Sequence, residues 1–464
     1  MLPTTTDATP EQQLARFVVQ LAPADVPADA RRTVQHMVRA VAGTALAGAG
    51  EDGIAALRQL LLERGGAPQA PLLVFGDLLP AAAAAQFNAT LCRALDYCDA
   101  MAPGPHLGAA LLPAALAAAA LAPVCTGEDL VAALAVGAEL AARFNLSEAQ
   151  YDGFDPTGLC VVFGAAATAA RLLRLTETQT LHALALAFNR CGGSFQSHVD
   201  GSLGVRITQG WVAQAGVECA QMARLGITGP QHFLAGSCGY AHLYGRGTLD
   251  PASLVAGLGR TWRLDRMMFK QFPSCGVTQG VTALVLQLAA QHRLQADQVT
   301  QATVRLPPYA HRLVGQPFKI GANPRVDAQF SAAWCVANAL LRGRPQLAHF
   351  EPARVADPAL QPLIQRITVL ADPALDVRGH TAVDLAITTT DGRQLQAGLD
   401  TAPGYPGAAL SDAQHQTRFA DCLAYAASAA PRALSAAQVQ ALQAALADLG
   451  GLPDARQLAA LLVT

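Results

Sequence analysis

The sequence predicts a mainly α-helical protein that consists of a large all-helical domain and a smaller α+β domain. Ala- and Leu-rich segments with helical periodicity fill residues 1–265 and 401–464, whereas residues 266–400 contain strand-like segments and an Asp-Gly turn. The chain has 464 residues, of which 52% are hydrophobic, so it is long enough to form two cores. We therefore expect 266–400 to be an α+β lid inserted into the helical domain.

The composition argues against several classes of partner and site. The net charge is −2, without a basic block, which is atypical of nucleic-acid-binding proteins. The ten cysteines are spread singly, which favours reduced thiols in a cytoplasmic protein over disulfides or a zinc site, so we predict no metal. The first ten residues lack the basic and apolar regions of an export signal.

The apolar segment 107–124 is predicted to be a buried helix and not a membrane span. It contains about 18 uncharged residues, the length at which a span becomes a candidate. Most of it is alanine, which adds little to membrane insertion, and Pro113 and Pro123 lie inside it. Small side chains let helices pack closely, so we expect this helix in the middle of a bundle, with no membrane as partner.

The remaining elements follow from hydrophobic periodicity and helix caps. Helices are predicted in 10–62, 81–97, 128–144 (capped by Thr126), 208–225, 280–293, 328–341 and 411–461. Strands are predicted at 301–306 and 366–370, with a hairpin over 381–395 and a candidate edge strand at 72–76.

The segment Leu95–Ala110 carries the main concentration of polar chemistry. Asp96 and Asp99 are predicted to lie about one helical turn apart, and a Pro-Gly-Pro break then brings His106 to the start of the next helix. A helix N-terminus disfavours the protonated form of histidine, so a neutral imidazole that accepts a proton is expected. The alternative is a capping loop with a structural histidine.

Two further loops resemble the first, because each combines polar residues with Gly and precedes a helix. One contains Tyr151 and Asp155, and the other contains Arg190, His198 and Arg206. The three loops are expected to line one cavity.

Lys270 is the candidate catalytic residue in the α+β part of the chain. It lies in the apolar segment Met267–Cys275, and a desolvating environment favours the neutral amine of a lysine, which could act as a base. The alternative is a surface lysine whose stem covers apolar neighbours.

Several motifs resemble those of the MmgE/PrpD family over nearly the whole chain. The motifs are Leu95-Asp-Tyr-Cys-Asp with Pro105-His106, Gly153-Phe-Asp-Pro-Thr, Gly226-Ile-Thr-Gly-Pro and Lys270-Gln-Phe-Pro-Ser-Cys. The family includes dehydratases, decarboxylases and epimerases. The resemblance implies a helical domain, an α+β lid, a homodimer, and a cavity between domains that takes small di- or tricarboxylates without metal or organic cofactor.

The resemblance also implies roles for individual residues. Asp96, His106 and Lys270 match the family's catalytic residues, and Arg206 falls near a substrate-contacting lysine of some members. The chain departs from the family pattern in four places: Asp155 replaces a histidine, Trp334 replaces a tyrosine, a histidine is missing around Cys275 and Gln279, and Cys98-Asp99 replaces a pair of aspartates. The candidate substrate-binding residues are Arg206, Arg190, Tyr151, Asp155, His198, Ser274, Cys275, Gln279 and Trp334.

The function predicted from these residues is proton removal next to a carboxylate. His106 and Lys270 would form the acid/base pair, Asp96 would orient His106, and Arg206 with Arg190 would bind a substrate carboxylate. We predict a cofactor-free lyase of the dehydratase or decarboxylase type that acts on a small carboxylic acid. The alternatives are an isomerase or epimerase of a small dicarboxylate or amino-acid-like acid, and a non-catalytic binding protein. Asp155 and Trp334 suggest a substrate less anionic or more apolar than citrate-type acids.

Overall fold

The computed structural model describes residues 8–429 and 433–464 and divides into two compact units. We call Met1–Met267 with Ala426–Thr464 the helical unit, and Met268–Tyr425 the mixed unit. The fold is mainly α-helical with a smaller α+β part, as the sequence predicts. Residues 401–425, which the sequence analysis assigns to the helical domain, lie in the mixed unit.

Helices account for most of the ordered elements of the described chain. They are α1 Pro10–Gln20, α2 Ala28–Ala47, α3 Ile54–Arg64, α4 Ala81–Arg93, α5 Gly108–Leu121, α6 Gly127–Phe144, α7 Glu148–Tyr151, α8 Pro156–Leu172, α9 Glu177–Phe188, α10 Gln196–Val199, α11 Gly204–Arg224, α12 Tyr240–Leu243, α13 Pro251–Val255, α14 Gln279–His292, α15 Pro308–Val314, α16 Pro324–Gln329, α17 Ala332–Arg342, α18 Pro352–Val355, α19 Gln361–Ile364, α20 Asp412–Ala429, α21 Ala436–Ala447 and α22 Arg456–Leu461. The strands are β1 Ala70–Pro71, β2 Leu78–Leu79, β3 Asp99–Met101, β4 Met267–Phe269, β5 Val299–Leu306, β6 Ile367–Ala371, β7 Val383–Thr389 and β8 Gln394–Leu399.

The helical unit is built around α5, which packs against α4, α6, α8 and α11. Every residue of α5 from Gly108 to Ala119 is buried, including Pro113, which confirms the prediction of a central core helix. None of the described helices has the length and apolar character needed to cross a membrane.

Helices α6 and α8 cross at a pair of glycines. A Cβ atom at Gly137 of α6 would collide with Thr168 of α8, and one at Gly164 of α8 would press on the carbonyl oxygen of Gly137. The two backbones therefore approach closely only because both positions lack a side chain. Thr126 caps α6, as the sequence predicts, and the structure adds a capping box with Asp129.

The mixed unit contains a four-stranded sheet in the order β6-β5-β7-β8. β5 pairs with β6 in parallel and with β7 antiparallel, and β7 and β8 form the predicted hairpin. Buried residues of β5 and β7 alternate with more exposed ones and pack against α14 and α17. One face of the sheet thus forms the core of this unit.

Four predicted elements differ from the structure. The helix predicted over 81–97 ends at Arg93, so Asp96 and Asp99 do not share a helical turn, and Asp96 has a positive φ of 51°. The predicted edge strand 72–76 is a turn with an isolated bridge at Val74. The predicted helix 328–341 is interrupted where Ser331 caps α17. The predicted helix 411–461 consists of α20, α21 and α22, and residues 430–432 lie outside the described part.

The ten cysteines are free thiols, and eight of them are buried. Among the described residues, no group of three or more His, Cys, Asp or Glu is placed to hold a metal ion.

Candidate active site

The imidazole of His106 is held in one orientation by the main chain of its own loop. Its Nδ1 lies 2.6 Å from the carbonyl oxygen of Asp99 and 3.4 Å from the Sγ of Cys98, and the residue is 8% exposed. A carbonyl oxygen can only accept a hydrogen bond, so Nδ1 carries the proton. In the neutral ring, the lone pair is therefore on Nε2, which is the nitrogen able to accept a proton.

The carboxylate of Asp96 faces this basic nitrogen. Its Oδ1 lies 3.7 Å from Nε2 of His106 and 2.7 Å from Nη1 of Arg93, which is buried. Burial by itself lowers the pKa of Arg93, but the nearby acidic groups of Asp96, Cys98 and Asp155, together with the hydrogen bond to Asp96, outweigh burial, so the pKa is raised above its ordinary value. Asp96 can thus stabilise an imidazolium at His106 while its own charge is balanced by Arg93.

Asp99 has a different function from Asp96, because its carboxylate caps helix α5. Oδ2 accepts hydrogen bonds from the main-chain N–H groups of Leu107, at 3.1 Å, and Gly108, at 2.9 Å. The cap residue Leu107 has no side chain that could do this, so the carboxylate from β3 replaces a local N-cap. Asp99 therefore fixes the loop that carries His106 through both its side chain and its carbonyl group.

The structure brings the three polar loops together around His106. The main-chain N–H of His106 donates to the hydroxyl of Thr157, at 3.2 Å, and the amide of Gln209 donates to the His106 carbonyl, at 2.7 Å. The second and third loops are joined by a hydrogen bond from the N–H of Asp155 to the carbonyl of Gly193. The main-chain N–H of His106 is thus held by the second loop, and its carbonyl group is held by α11, the helix that follows the third loop.

Asp155 forms the N-cap of α8 and faces a histidine of the third loop. Its Oδ1 accepts from the main-chain N–H groups of Thr157 and Gly158, at 2.8 and 3.4 Å, and its Oδ2 lies 3.4 Å from Nε2 of His198. A Cβ at Gly158 would collide with the carbonyl oxygen of Gly192, so a glycine is needed where the loops meet.

Three further candidates of the helical unit are Tyr151, Arg206 and Arg190. The hydroxyl of Tyr151 donates to Oδ1 of Asn145 and accepts from the N–H of Leu146, and burial raises its pKa well above the ordinary range. Arg206 donates to the carbonyl of Asp52, at 2.7 Å, and Arg190 is exposed after α9. Tyr151 thus braces a loop.

Lys270 of the mixed unit follows β4 and is 4% exposed. This burial rules out the alternative of a surface lysine. The segment that follows it is held by the amide of Gln279, which accepts from the N–H of Phe272 and donates to its carbonyl. The same amide nitrogen lies within 3.2 Å of the carbonyl oxygens of Ser274 and Cys275. Gln279 therefore fixes the loop after Lys270.

Three further candidates of the mixed unit have structural contacts. The hydroxyl groups of Ser274 and Thr278 are 2.8 Å apart, and the N–H of Cys275 donates to the carbonyl of Gln329. Trp334 is fully buried, donates to the carbonyl of Val355 and packs on Phe350, with ring centroids 4.8 Å apart. We assign Trp334 to the core of this unit, so its apolar bulk says nothing about the substrate.

Comparison with known families agrees with the motifs that surround these residues. The MmgE/PrpD N-terminal domain matches residues 12–251, and the MmgE/PrpD C-terminal domain matches residues 272–443. The chain belongs to the MmgE/PrpD family. The first matched domain includes the three loops around His106, and the second begins just after Lys270 and includes Gln279.

Individual MmgE/PrpD relatives are more distant. The chain is 25% identical to cis-aconitate decarboxylase of Homo sapiens over 274 residues, which is 57% of this chain and 55% of that protein. It is 26% identical to cis-aconitate decarboxylase of Mus musculus over 275 residues, 57% of this chain and 54% of that protein. The chain spans about half the length of the curated relatives that it matches.

Three residues that position the site were not identified from the sequence of this MmgE/PrpD protein. Arg93 stands three residues before Asp96, and this i,i+3 spacing of opposite charges is a detectable signal. Thr157 follows the Asp-Pro start of a helix, which predicts a cap but not the contact with His106. Gln209, a buried amide of α11, required a partner that only the structure identifies.

Proposed function

We propose that the protein is a lyase of the dehydratase or decarboxylase type that acts on a small carboxylic acid through proton transfer next to a carboxylate. His106, Asp96 and Lys270 are the proposed catalytic residues. The membership of the family and the similarity to two cis-aconitate decarboxylases support the reaction class. The observation on which the proposal depends most is the single orientation of the His106 imidazole.

Nε2 of His106 is the proposed base. Because Nδ1 donates to the Asp99 carbonyl, the neutral ring has its lone pair on Nε2, and the Asp96 carboxylate 3.7 Å away stabilises the charge that appears when a proton arrives. A carbon acid next to a carboxylate is weak, so a base in fixed orientation with a nearby counter-charge is what the chemistry requires.

Lys270, in its protonated form, is the proposed acid of the acid/base pair and also the cation for the enolate-like charge that forms when the proton leaves carbon. A buried ammonium group acts in a low-dielectric environment, where it stabilises a developing negative charge more strongly than it would in water. If a β-hydroxyl group then departs, the product is that of dehydration. If carbon dioxide departs, its bonding electrons stay on carbon, which takes up a proton.

Isotope exchange over a panel of small acids tests this proposal. The protein is incubated in D2O with cis-aconitate, citrate, small dicarboxylates and monocarboxylates, and deuterium incorporation and product formation are followed by NMR. We expect incorporation next to a carboxylate in at least one acid, and a loss of about 100-fold or more in His106→Gln, since general base catalysis supplies about 10²–10⁴.

The matched control is His232→Gln, which removes an exposed histidine of the same unit. It should exchange at the wild-type rate. Exchange at the wild-type rate in His106→Gln would disprove the role of His106, and a wild-type protein that neither exchanges nor converts any of these acids would disprove the proposed function. Inversion without loss of water or carbon dioxide would instead establish an epimerase.

A further inference from the structure

A second imidazole–carboxylate pair lies in the loops that hold His106. Nε2 of His198 is 3.4 Å from Oδ2 of Asp155. Asp155 is 2% exposed, and its other oxygen is used by the main-chain N–H groups at the start of α8. The carboxylate is therefore fixed in place, and one of its oxygens points to a histidine from another loop.

The ring of His198 is oriented but accessible. It stacks on Phe195 with centroids 4.5 Å apart and an angle of 15° between the planes, while its side chain is 25% exposed. None of the residues that the structure describes hydrogen-bonds to its Nδ1. Nε2 faces the Asp155 carboxylate, so Nδ1 is the nitrogen available to a ligand.

The two histidines are connected through a short path. Asp155 accepts a hydrogen bond from the main-chain N–H of Thr157, and the hydroxyl of Thr157 accepts from the main-chain N–H of His106. Thr157, in the first turn of α8, thus contacts both the Asp155 carboxylate that faces His198 and the main chain of His106. The two histidines therefore depend on one shared set of loop contacts.

We propose that His198 is a second proton-transferring catalytic residue, with Asp155 as its positioning residue. This inference rests on the proposed function. As the imidazolium, His198 would donate its Nδ1 proton to the departing hydroxyl oxygen, which leaves as water with the electron pair of the C–O bond. His106 takes the proton from carbon, and the electron pair of the C–H bond becomes the new C=C bond, so atoms and charge balance.

A purely structural role would leave a different signature. A brace between the loops needs only a group that donates a hydrogen bond to Asp155, and glutamine at position 198 can still provide one. A proton-transferring residue cannot be replaced by an amide, because an amide is neither protonated nor deprotonated near neutral pH and so cannot act as a general acid. His198→Gln therefore separates the two roles, and His198→Ala opens a space for added imidazole.

The first measurement is the turnover and exchange of the acid that the wild-type protein uses best. We expect kcat to fall about 100-fold in His198→Gln with little change in KM, and imidazole to restore part of the activity of His198→Ala but not of His198→Gln. His232→Gln serves as the control and should match the wild type. A kcat within twofold of the wild type in His198→Gln would overturn the assignment.

The second measurement separates this inference from the proposed function. NMR spectra of protein labelled with 15N-histidine, assigned through the single variants, are recorded with cis-aconitate and with citrate. We expect the ring signals of both His106 and His198 to shift. If only His106 responds and exchange persists in His198→Gln, the inference alone fails. If neither ring responds and no acid is exchanged or converted, the proposed function fails and the inference with it.

Discussion

The loop of His106 and the segment after Lys270 are held in place by different kinds of contact. Around His106, ionised groups provide much of the order, because Arg93 pairs with Asp96, and the Asp99 carboxylate caps α5. After Lys270, a neutral amide, Gln279, satisfies the main-chain groups of the loop. We infer that charged groups surround His106 because they control its protonation state. A neutral amide is sufficient after Lys270, because there it only has to hold the loop in one conformation.

Removal of the ammonium of Lys270 should produce the largest loss of activity. In Lys270→Met the cation is replaced by an apolar side chain of similar length, and we expect kcat to fall about 1000-fold, since one stabilising group is worth about 10²–10³ or more. Folding should be retained, because methionine suits a buried position. The measurements are steady-state turnover and thermal unfolding.

Lys319→Met is the matched control, because this other lysine of the sequence is exposed in the same unit. It should retain wild-type turnover. If Lys270→Met also retains wild-type turnover, Lys270 is not a catalytic cation. The ordered loop that follows it would then not serve to position a catalytic side chain.

The charge at Asp96 should affect both activity and stability. Asparagine tolerates the positive φ at this position, so Asp96→Asn removes the charge and leaves the backbone conformation possible. We expect kcat to fall about 100-fold, because the His106 imidazolium loses its counter-charge. We also expect the free energy of unfolding to fall by about 3 kcal/mol, because Arg93 becomes a buried charge without its partner.

Turnover and urea unfolding of Asp96→Asn measure the two effects separately. Asp52→Asn, at another position of the helical unit, is the control and should change neither quantity by more than about 0.5 kcal/mol. A fully active Asp96→Asn protein would show that charge is not what controls His106.

The amide of Gln279 should matter for the mixed unit in a different way. Gln279→Leu leaves several buried main-chain groups of the Phe272–Cys275 loop without partners, so we expect the free energy of unfolding to fall by about 3 kcal/mol. Activity should fall only about tenfold, because Lys270 itself remains. Gln291→Leu, an exposed position on the same helix, should be nearly neutral. If Gln279→Leu loses more activity than Asp96→Asn, the loop after Lys270 matters more for catalysis than the charges around His106, which contradicts the comparison.

The pH dependence of stability should reveal a buried carboxyl group in the mixed unit. Burial raises the pKa of Asp421 to about 6, although Arg344 and Arg418 oppose the shift. The folded state then binds this proton more tightly than the unfolded state, so the contribution is present below about pH 4 and is lost as the pH rises to about 6. The expected size is about 3 kcal/mol.

Urea unfolding between pH 4 and pH 6.5 measures this contribution, and Asp421→Asn should remove it. The difference in stability between the two proteins should therefore change with pH over that range. A constant difference would show that Asp421 has the same pKa in the folded and unfolded states.

Much of the fold could be predicted because local sequence controls it. The buried helix α5 follows from an uninterrupted apolar composition, the start of α6 from Thr126, and the β7–β8 hairpin from alternation around Asp391-Gly392. Each of these signals acts over a few residues. The predicted end of α4 was wrong because apolar residues continue past Arg93, although the chain turns there to reach β3.

The catalytic candidates could be named from motifs, but their environments could not. The sequence by itself determined the type of most of the long elements and placed His106 next to a helix start. Only the tertiary structure decided that Asp99 uses its carbonyl to select the His106 tautomer, that Thr157 and Gln209 hold its main chain, and that Trp334 belongs to a core. The reason is physical: caps and periodicity depend on neighbours in sequence, whereas hydrogen-bond partners up to 103 residues apart depend on how the helices pack.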